Sequence, residues 1–334
     1  MTRDSGRARG SISVGVSGVG LVVALALGIA YGSGTAGLGD LFDGTTPAHD
    51  IMVGIRLPRA LLGAVAGAGL AAVGAAFQSV LRNPLAEPYI LGVSGGSALG
   101  ATIAIAVGLG GQGLLGAAAV PASAFAGGAA ATLLVWGLVR AGRGGGASIL
   151  LAGVVVNAIA GACITLVESI ADPGRMRSLV WWLMGYLDVP SWGQLGFVSA
   201  YVAGGLALLM ADAGRINLLS LGDEPAASLG LDVRRLERRT FLACAAVVGA
   251  IVSATGLIGF VGLVVPQAVR RMVGPDLRLV LPASAMTGGA AVVTCDMLVR
   301  VVAPKIHTEV PVGAVTALVG GPVFLALLGR RRDG

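Results

Sequence analysis

Few side chains in this sequence could do chemistry. His49 and His307 lie far apart, each in a polar stretch between apolar segments, and Cys163, Cys244 and Cys295 stand singly inside or beside apolar runs. A zinc site needs such ligands grouped at short spacings, and a disulfide framework needs matched cysteines. Neither pattern can be written, so no metal ligand is assigned. Phosphate-binding loops join a glycine-rich turn to a lysine, but Lys305 is the only lysine and the string Gly142 to Gly146 does not reach it. ATP hydrolysis by this chain is therefore not expected. With no nucleophile paired to a base, no catalytic residue is assigned either, and the protein reads as a non-enzyme.

The polar residues that remain point to transport. Gln78, Asn157, Thr165, Ser253, Gln267 and Thr294 fall mid-way along apolar runs, whereas the acids Glu168 and Asp296 fall near their ends. Ion-coupled carriers place ionisable groups in mid-membrane, where a charge is costly unless it works. A pathway of apolar residues and a few neutral amides suits a bulky substrate better than a dehydrated ion. An autonomous secondary carrier is the second expectation and a membrane-embedded enzyme a distant third.

The elements that must position these residues are membrane spans. Of 334 residues, 55% are hydrophobic and 12% charged, about half the charged share of a soluble protein. Runs long enough to cross a bilayer predict an all-α chain with ten spans near 11–33, 60–82, 90–110, 114–139, 147–168, 192–211, 240–256, 257–270, 279–299 and 311–329. Residues 240–269 form one uncharged run, with a break expected at Thr255 to Gly259. The first run is read as an uncleaved span rather than a secretory signal. Arginines precede the first span and follow the last, which places both termini in the cytoplasm and requires an even number of spans. With that topology, all but six of the 23 Lys and Arg lie on the cytoplasmic side. A bias of that kind reports orientation rather than nucleic-acid binding. The six exceptions are Arg56, Arg59, Arg175, Arg177, Arg300 and Lys305, and an acidic partner outside the cell would account for outward cations.

A shift of 182 residues lays Gly67, Gly74 and Pro84 on Gly249, Gly256 and Pro266. Five spans separate the two copies, so they run in opposite directions, the plan of many transporters. The whole chain, 1–334, is thus expected to be one transmembrane domain of two inverted five-helix halves, about 11–168 and 192–329. A cytoplasmic loop is expected at about 212–239. Within it, Asp223-Glu224-Pro225 reads as a helix start and Gly230 as a stop, giving a short helix outside the lipid that could seat a soluble partner. Asn83 and Pro84, with Pro266 in the second copy, read as structural turn residues.

The motifs RLPR at 56–59, NPLAEP at 83–88, LGVSGG at 91–96, LGDEPAASLG at 221–230, GLIGFVGLVVPQAVRR at 256–271 and EVPVGAVTALVGGPVFLALL at 309–328 resemble the FecCD-type permeases of bacterial ABC importers for iron-siderophores, haem and cobalamin. The resemblance covers nearly the whole chain in order. It implies a permease of the bacterial cytoplasmic membrane, paired with a second permease subunit, identical or paralogous. Two ATP-binding subunits that hold ATP and Mg would lie below, and an extracytoplasmic solute-binding protein above. Membrane lipid is the remaining partner, and no cofactor is expected in this chain. The implied cargo is an iron chelate, a ferric siderophore first, with haem or cobalamin as the alternative. By the same resemblance, Arg56, Arg59 and Arg300 would dock the binding protein, and Gly222, Glu224, Ala226, Leu229 and Gly230 would couple to the ATPase. Ser148, Asn157, Trp181 and Met184 would line the pathway or gate. Many relatives carry a histidine where this chain has Gln267, which removes a titratable group from that position.

Overall fold

The computed structural model describes residues 3–32, 39, 47–109, 114–141, 146–306 and 310–329. His307, Gly142 to Gly145 and Arg330 to Arg332 lie outside them, as do the side chains of Ser148 and Lys305. The described residues are helical without strands. Ten helices answer to the ten expected spans: α1 (Arg3–Ala30), α3 (Leu57–Val80), α4 (Val93–Ala106), α5 (Leu114–Ala141), α6 (Gly146–Ile170), α8 (Trp192–Leu219), α10 (Val233–Thr255), α11 (Val261–Val273), α12 (Leu277–Ile306) and α13 (Val312–Gly329). Three short helices lie between them: α2 (Pro47–Ile51), which runs through a π turn (Met52–Arg56) into α3, then α7 (Pro173–Leu183) and α9 (Asp223–Ser228). By length and composition, seven helices among the described residues can cross a membrane, while α4 and α13 are shorter apolar helices.

The uncharged run at 240–269 does break where expected. Gly256 takes φ 63°, ψ −155°, a conformation open to glycine alone, and α10 ends there. α4 and α11 have 14 and 13 residues and are thus about 20 Å long, short of the ~30 Å hydrocarbon core. The connections before them, 81–92 and 256–260, therefore lie partly at membrane depth. Each ends on a left-handed residue immediately before its helix: Gly92 (φ 81°) before α4 and Phe260 (φ 66°) before α11. These are equivalent points of the two halves, yet they lie 168 residues apart, because the first connection is longer than the second. Packing shows the same equivalence. α3 packs on α11 and α12, and α10 packs on α4 and α5.

The expected loop at 212–239 is shorter than its charges suggested. α8 continues to Leu219 and α10 begins at Val233, because the polar residues at these ends pair with one another as helix extensions. Asp212, 1% exposed, takes Arg215 at 2.8 Å and Arg239 of α10 at 3.1 Å.

α3 is the central helix, buried along most of its length. Its glycines set the spacing of its neighbours. A Cβ on Gly67 would stand 2.2 Å from the Gly288 carbonyl oxygen of α12, and one on Gly74 would stand 1.8 Å from that of Gly262 in α11. Backbones this close give membrane helices their van der Waals contact, since lipid supplies little hydrophobic drive between them. Gly74→Ala is expected to destabilise the detergent-solubilised protein by about 3 kcal/mol, the upper range for overpacking. Gly204→Ala, where a Cβ meets nothing within 4 Å, should be neutral or slightly stabilising. Thermal unfolding followed by size exclusion distinguishes the two.

Candidate functional site

Irregular backbone at membrane depth must have its N–H and C=O groups paired by protein, and the connection 81–92 shows how. Gln78, buried near the end of α3, donates from Nε2 to the Leu263 carbonyl (3.1 Å) and reaches those of Gly262 (3.4 Å) and Ala86 (3.5 Å). Gln267 of α11 donates from Nε2 to Gln78 Oε1 (2.9 Å) and to the Pro84 carbonyl (3.2 Å). The Leu85 N–H is taken by Asn83 Oδ1 at 2.9 Å. The Tyr89 carbonyl accepts from Asn157 Nδ2 (2.8 Å) and Ser94 Oγ (3.1 Å). The second connection is tied to the first. Tyr89 OH donates to the Ile258 carbonyl and accepts from the Ile258 N–H, both at 2.9 Å, and Glu87 Oε1 accepts from the Phe260 N–H at 3.0 Å. Pro266, expected at a turn, instead sits buried inside α11, which already begins at Val261. Asn83 and Pro84 lie in the connection that follows α3.

Asn157 has a different place from the open pathway position. Both ends of its amide are used on backbone, Nδ2 on Tyr89 and Oδ1 on the Gly95 N–H at 3.0 Å, so it braces α6 against the start of α4. Trp181 stacks edge-on against Tyr186. The segment around Met184 packs on the α10–α11 break and on α13. The Tyr186 N–H donates to the Thr255 carbonyl (2.9 Å), and the Gly313 N–H donates to that of Gly185 (3.1 Å).

At the opposite end, Arg56, Arg59 and Arg300, which the resemblance would give to docking, lie in one cluster and each is engaged inside the chain. Arg56 is 3% exposed and donates to the Ile29 (3.2 Å) and Ala30 (3.0 Å) carbonyls. Arg300 donates to those of Gly28 (2.6 Å) and Tyr31 (3.1 Å). These are the carbonyls that the last turn of α1 leaves unpaired, at the negative end of its dipole. Asp296, 1% exposed, bridges Arg59 (2.8 Å) and Arg300 (2.9 Å), and the Arg59 guanidinium lies over the Tyr186 ring at 5.3 Å. These cations therefore have an internal role: they clasp α1, α3 and α12.

On the remaining face, α9 is the short helix expected from Asp223 to Gly230. Gly222 (φ 124°) precedes it, and Gly230 (φ 82°) closes it. The Gly230 N–H donates to the Ala227 carbonyl (2.9 Å) and the Leu231 N–H to that of Ala226 (3.1 Å), a Schellman stop. Ala226 is buried beneath it, while Glu224 and Leu229 are exposed. Asp223 pairs with Arg82 at 3.0 Å, which joins α9 to the turn after α3.

The sequence profile of the FecCD transport family matches residues 20–330. The chain belongs to this family. It is 40% identical to the hemin transport system permease protein HmuU of Yersinia pestis, over 85% of this chain and 84% of that one. It is 43% identical to the cobalamin import system permease protein BtuC of Halobacterium salinarum, over 85% and 75%. A solved structure described as an inward-facing metal-chelate type ABC transporter superposes with a TM-score of 0.83 at 29% identity, covering 95% of this chain and 98% of that one. The FecCD chain is accordingly a multi-pass membrane permease and not an enzyme.

Sequence reasoning missed Glu87, Tyr89, Arg82 and the bridging role of Asp296. The signal was available for the first two. A polar residue in a connection too long for its short helix has to serve the exposed backbone. For the arginine clasp of the FecCD chain, Asp296→Ala leaves two largely buried guanidinium groups without their carboxylate. It should cost about 3 kcal/mol, as for other broken buried pairs. Arg177→Ala, on an exposed side chain, should stay within about 0.5 kcal/mol. Melting temperatures of the purified variants test this.

Proposed function

We propose that this FecCD chain is the translocating subunit of a binding-protein-dependent ABC importer. The observation that carries this reading is α9. It is a capped helix of six residues with exposed Glu224, flanked by exposed Leu221 and Leu229, and held to the membrane bundle through Arg82. An apolar rim with acids on a short, well-anchored helix suits the cleft of a soluble ATPase, which would hold the ATP and Mg that this chain has no loop to bind. Gly222, Ala226 and Gly230 set the shape of that helix, and Glu224 and Leu229 meet the partner.

At the outer face, Arg59 and Arg300 share the carboxylate of Asp296, and the Arg56 guanidinium, bound to backbone carbonyls at the end of α1, adds a third positive charge. The resulting positive field favours an acidic solute-binding protein and steers its approach. Arg56, Arg59 and Arg300 act there through that field, since their groups are already engaged inside the chain. α6 and α13 leave apolar faces exposed, including Leu151, Ile159, Leu318 and Leu325, for lipid or for a second permease subunit. The cation bias supports a cytoplasmic position for both termini. ATP-driven closure of the partner subunits would move α9, and the two halves would alternate access around a central pathway gated by α6, the 181–187 segment and α13.

The proposed cargo is a bulky metal chelate, a ferric siderophore in the specific reading, with haem and cobalamin as the competing arms. In proteoliposomes with the cognate ATPase and binding protein, ATP should drive uptake of one of these three. Glu224→Arg should lower binding-protein-stimulated ATP hydrolysis at least tenfold. Unchanged hydrolysis and uptake in that variant would remove the assignment of α9.

A further inference from the structure

Between α9 and the segment that carries Met184 lies a chain of contacts in which one ionisable side chain holds a central position. Arg82, at φ 49°, ends α3 and pairs with Asp223 of α9 at 3.0 Å. The turn from Asn83 leads within five residues to Glu87. Glu87 Oε1 accepts the N–H of Phe260 at 3.0 Å. Phe260 is itself in the left-handed region (φ 66°) and opens α11, so a carboxylate there also meets the positive end of the helix dipole. From Phe260 the contacts diverge in two directions. Its side chain lies against Gly320 of α13, where a Cβ would come within 2.5 Å of it. Upstream, the Leu257 carbonyl lies against Gly185 and Gly313, where added Cβ atoms would stand 2.0 and 2.6 Å from it.

We propose that Glu87 is a positioning residue that transmits displacement of α9 from the turn after α3 to the α10–α11 break, and so to residues 182–186 and α13. This rests on the importer reading of α9 given above. Two features of the geometry favour transmission over simple support. First, the link joins two connections rather than two helices, and both connections carry a non-glycine residue at positive φ, a conformation costing of order 1 kcal/mol or more that persists only where surroundings enforce it. Second, the bond is charge-assisted and anchored on backbone, so it moves Phe260 without depending on a rotamer at that end. Gln78 and Gln267 tie the same turn to the bodies of α3 and α11. They fix its seat, whereas Glu87 reaches the break itself.

The test uses the complete permease–ATPase assembly in lipid, with nitroxides at Met184→Cys and Ser220→Cys, both on exposed side chains, and the three native cysteines replaced. Pulsed dipolar spectroscopy reads the distance between labels without nucleotide and with ATP plus vanadate, and ATPase rate is measured in parallel. Glu87→Ala is expected to retain more than half of the ATPase rate while the nucleotide-dependent distance shift falls by at least half. Glu87→Gln, which keeps an oxygen acceptor for the Phe260 N–H, should restore the shift. Support by packing alone would not separate ATPase rate from the shift in this way. A full shift in Glu87→Ala overturns the inference and leaves the importer reading standing. No nucleotide-dependent shift in the unmutated chain removes both. Should Glu87→Ala fail to assemble, Arg82→Ala on its half-exposed side chain decides: a reduced shift supports the route, and an unchanged one overturns it.

Discussion

Hydrocarbon offers no partner to a peptide group, and most of the polar residues in this chain are placed to answer that requirement. A continuous helix satisfies itself along its length and leaves only its ends. Where α4 and α11 are too short to cross, the connections 81–92 and 256–260 expose backbone at depth. Gln78, Gln267, Tyr89, Asn157, Ser94 and Glu87 all bond to that backbone. At the end of α1 the same need is met by Arg56 and Arg300, whose guanidinium groups take four terminal carbonyls between them. Residues that look from composition like a sparse polar pathway are largely the means by which a broken helix bundle remains stable in lipid.

That requirement explains which parts of the structure were legible in the sequence. Span positions follow from apolar length, and all ten have helices. The α10 break follows from Gly256, whose φ excludes other residues, and the limits of α9 from Asp223-Glu224-Pro225 and Gly230. The repeat was also legible, but its constant shift of 182 was not kept, since α4 and α11 are related by 168. Periodicity cannot reveal that two connections of unequal length occupy equivalent places. Charge misled at 212–239, where acids and arginines read as loop but pair across α8 and α10 as helical extensions. The pairing of Arg59 was not legible either: Asp296 stands 237 residues away along the chain, and the contact can be read only in three dimensions.

Small residues make these pairings possible. Side chains at Gly67 and Gly74 would keep α12 and α11 away from α3, and Gln78 could not then reach the Gly262 and Leu263 carbonyls. The close crossing and the polar network are therefore one arrangement, in which glycine supplies the approach and the amides supply the bonds. The abundance of Gly and Ala in the sequence is a condition of polar satisfaction as much as of packing.

Gln267 shows how far this logic extends. The resemblance to relatives with histidine at this position suggested a lost titratable group. In the structure, one Nε2 serves two acceptors, Gln78 Oε1 and the Pro84 carbonyl, while Gln78 Nε2 serves backbone in turn. A neutral imidazole has a single N–H and could not donate to both acceptors at once. Two donors would require the imidazolium, a charge at a depth where desolvation opposes it. The paired amides thus hold α3, the turn and α11 together with no ionisation at all. In this chain the contact between the inverted halves is independent of pH at that point, and Glu87 is left as the carboxyl link between the two connections among the described residues.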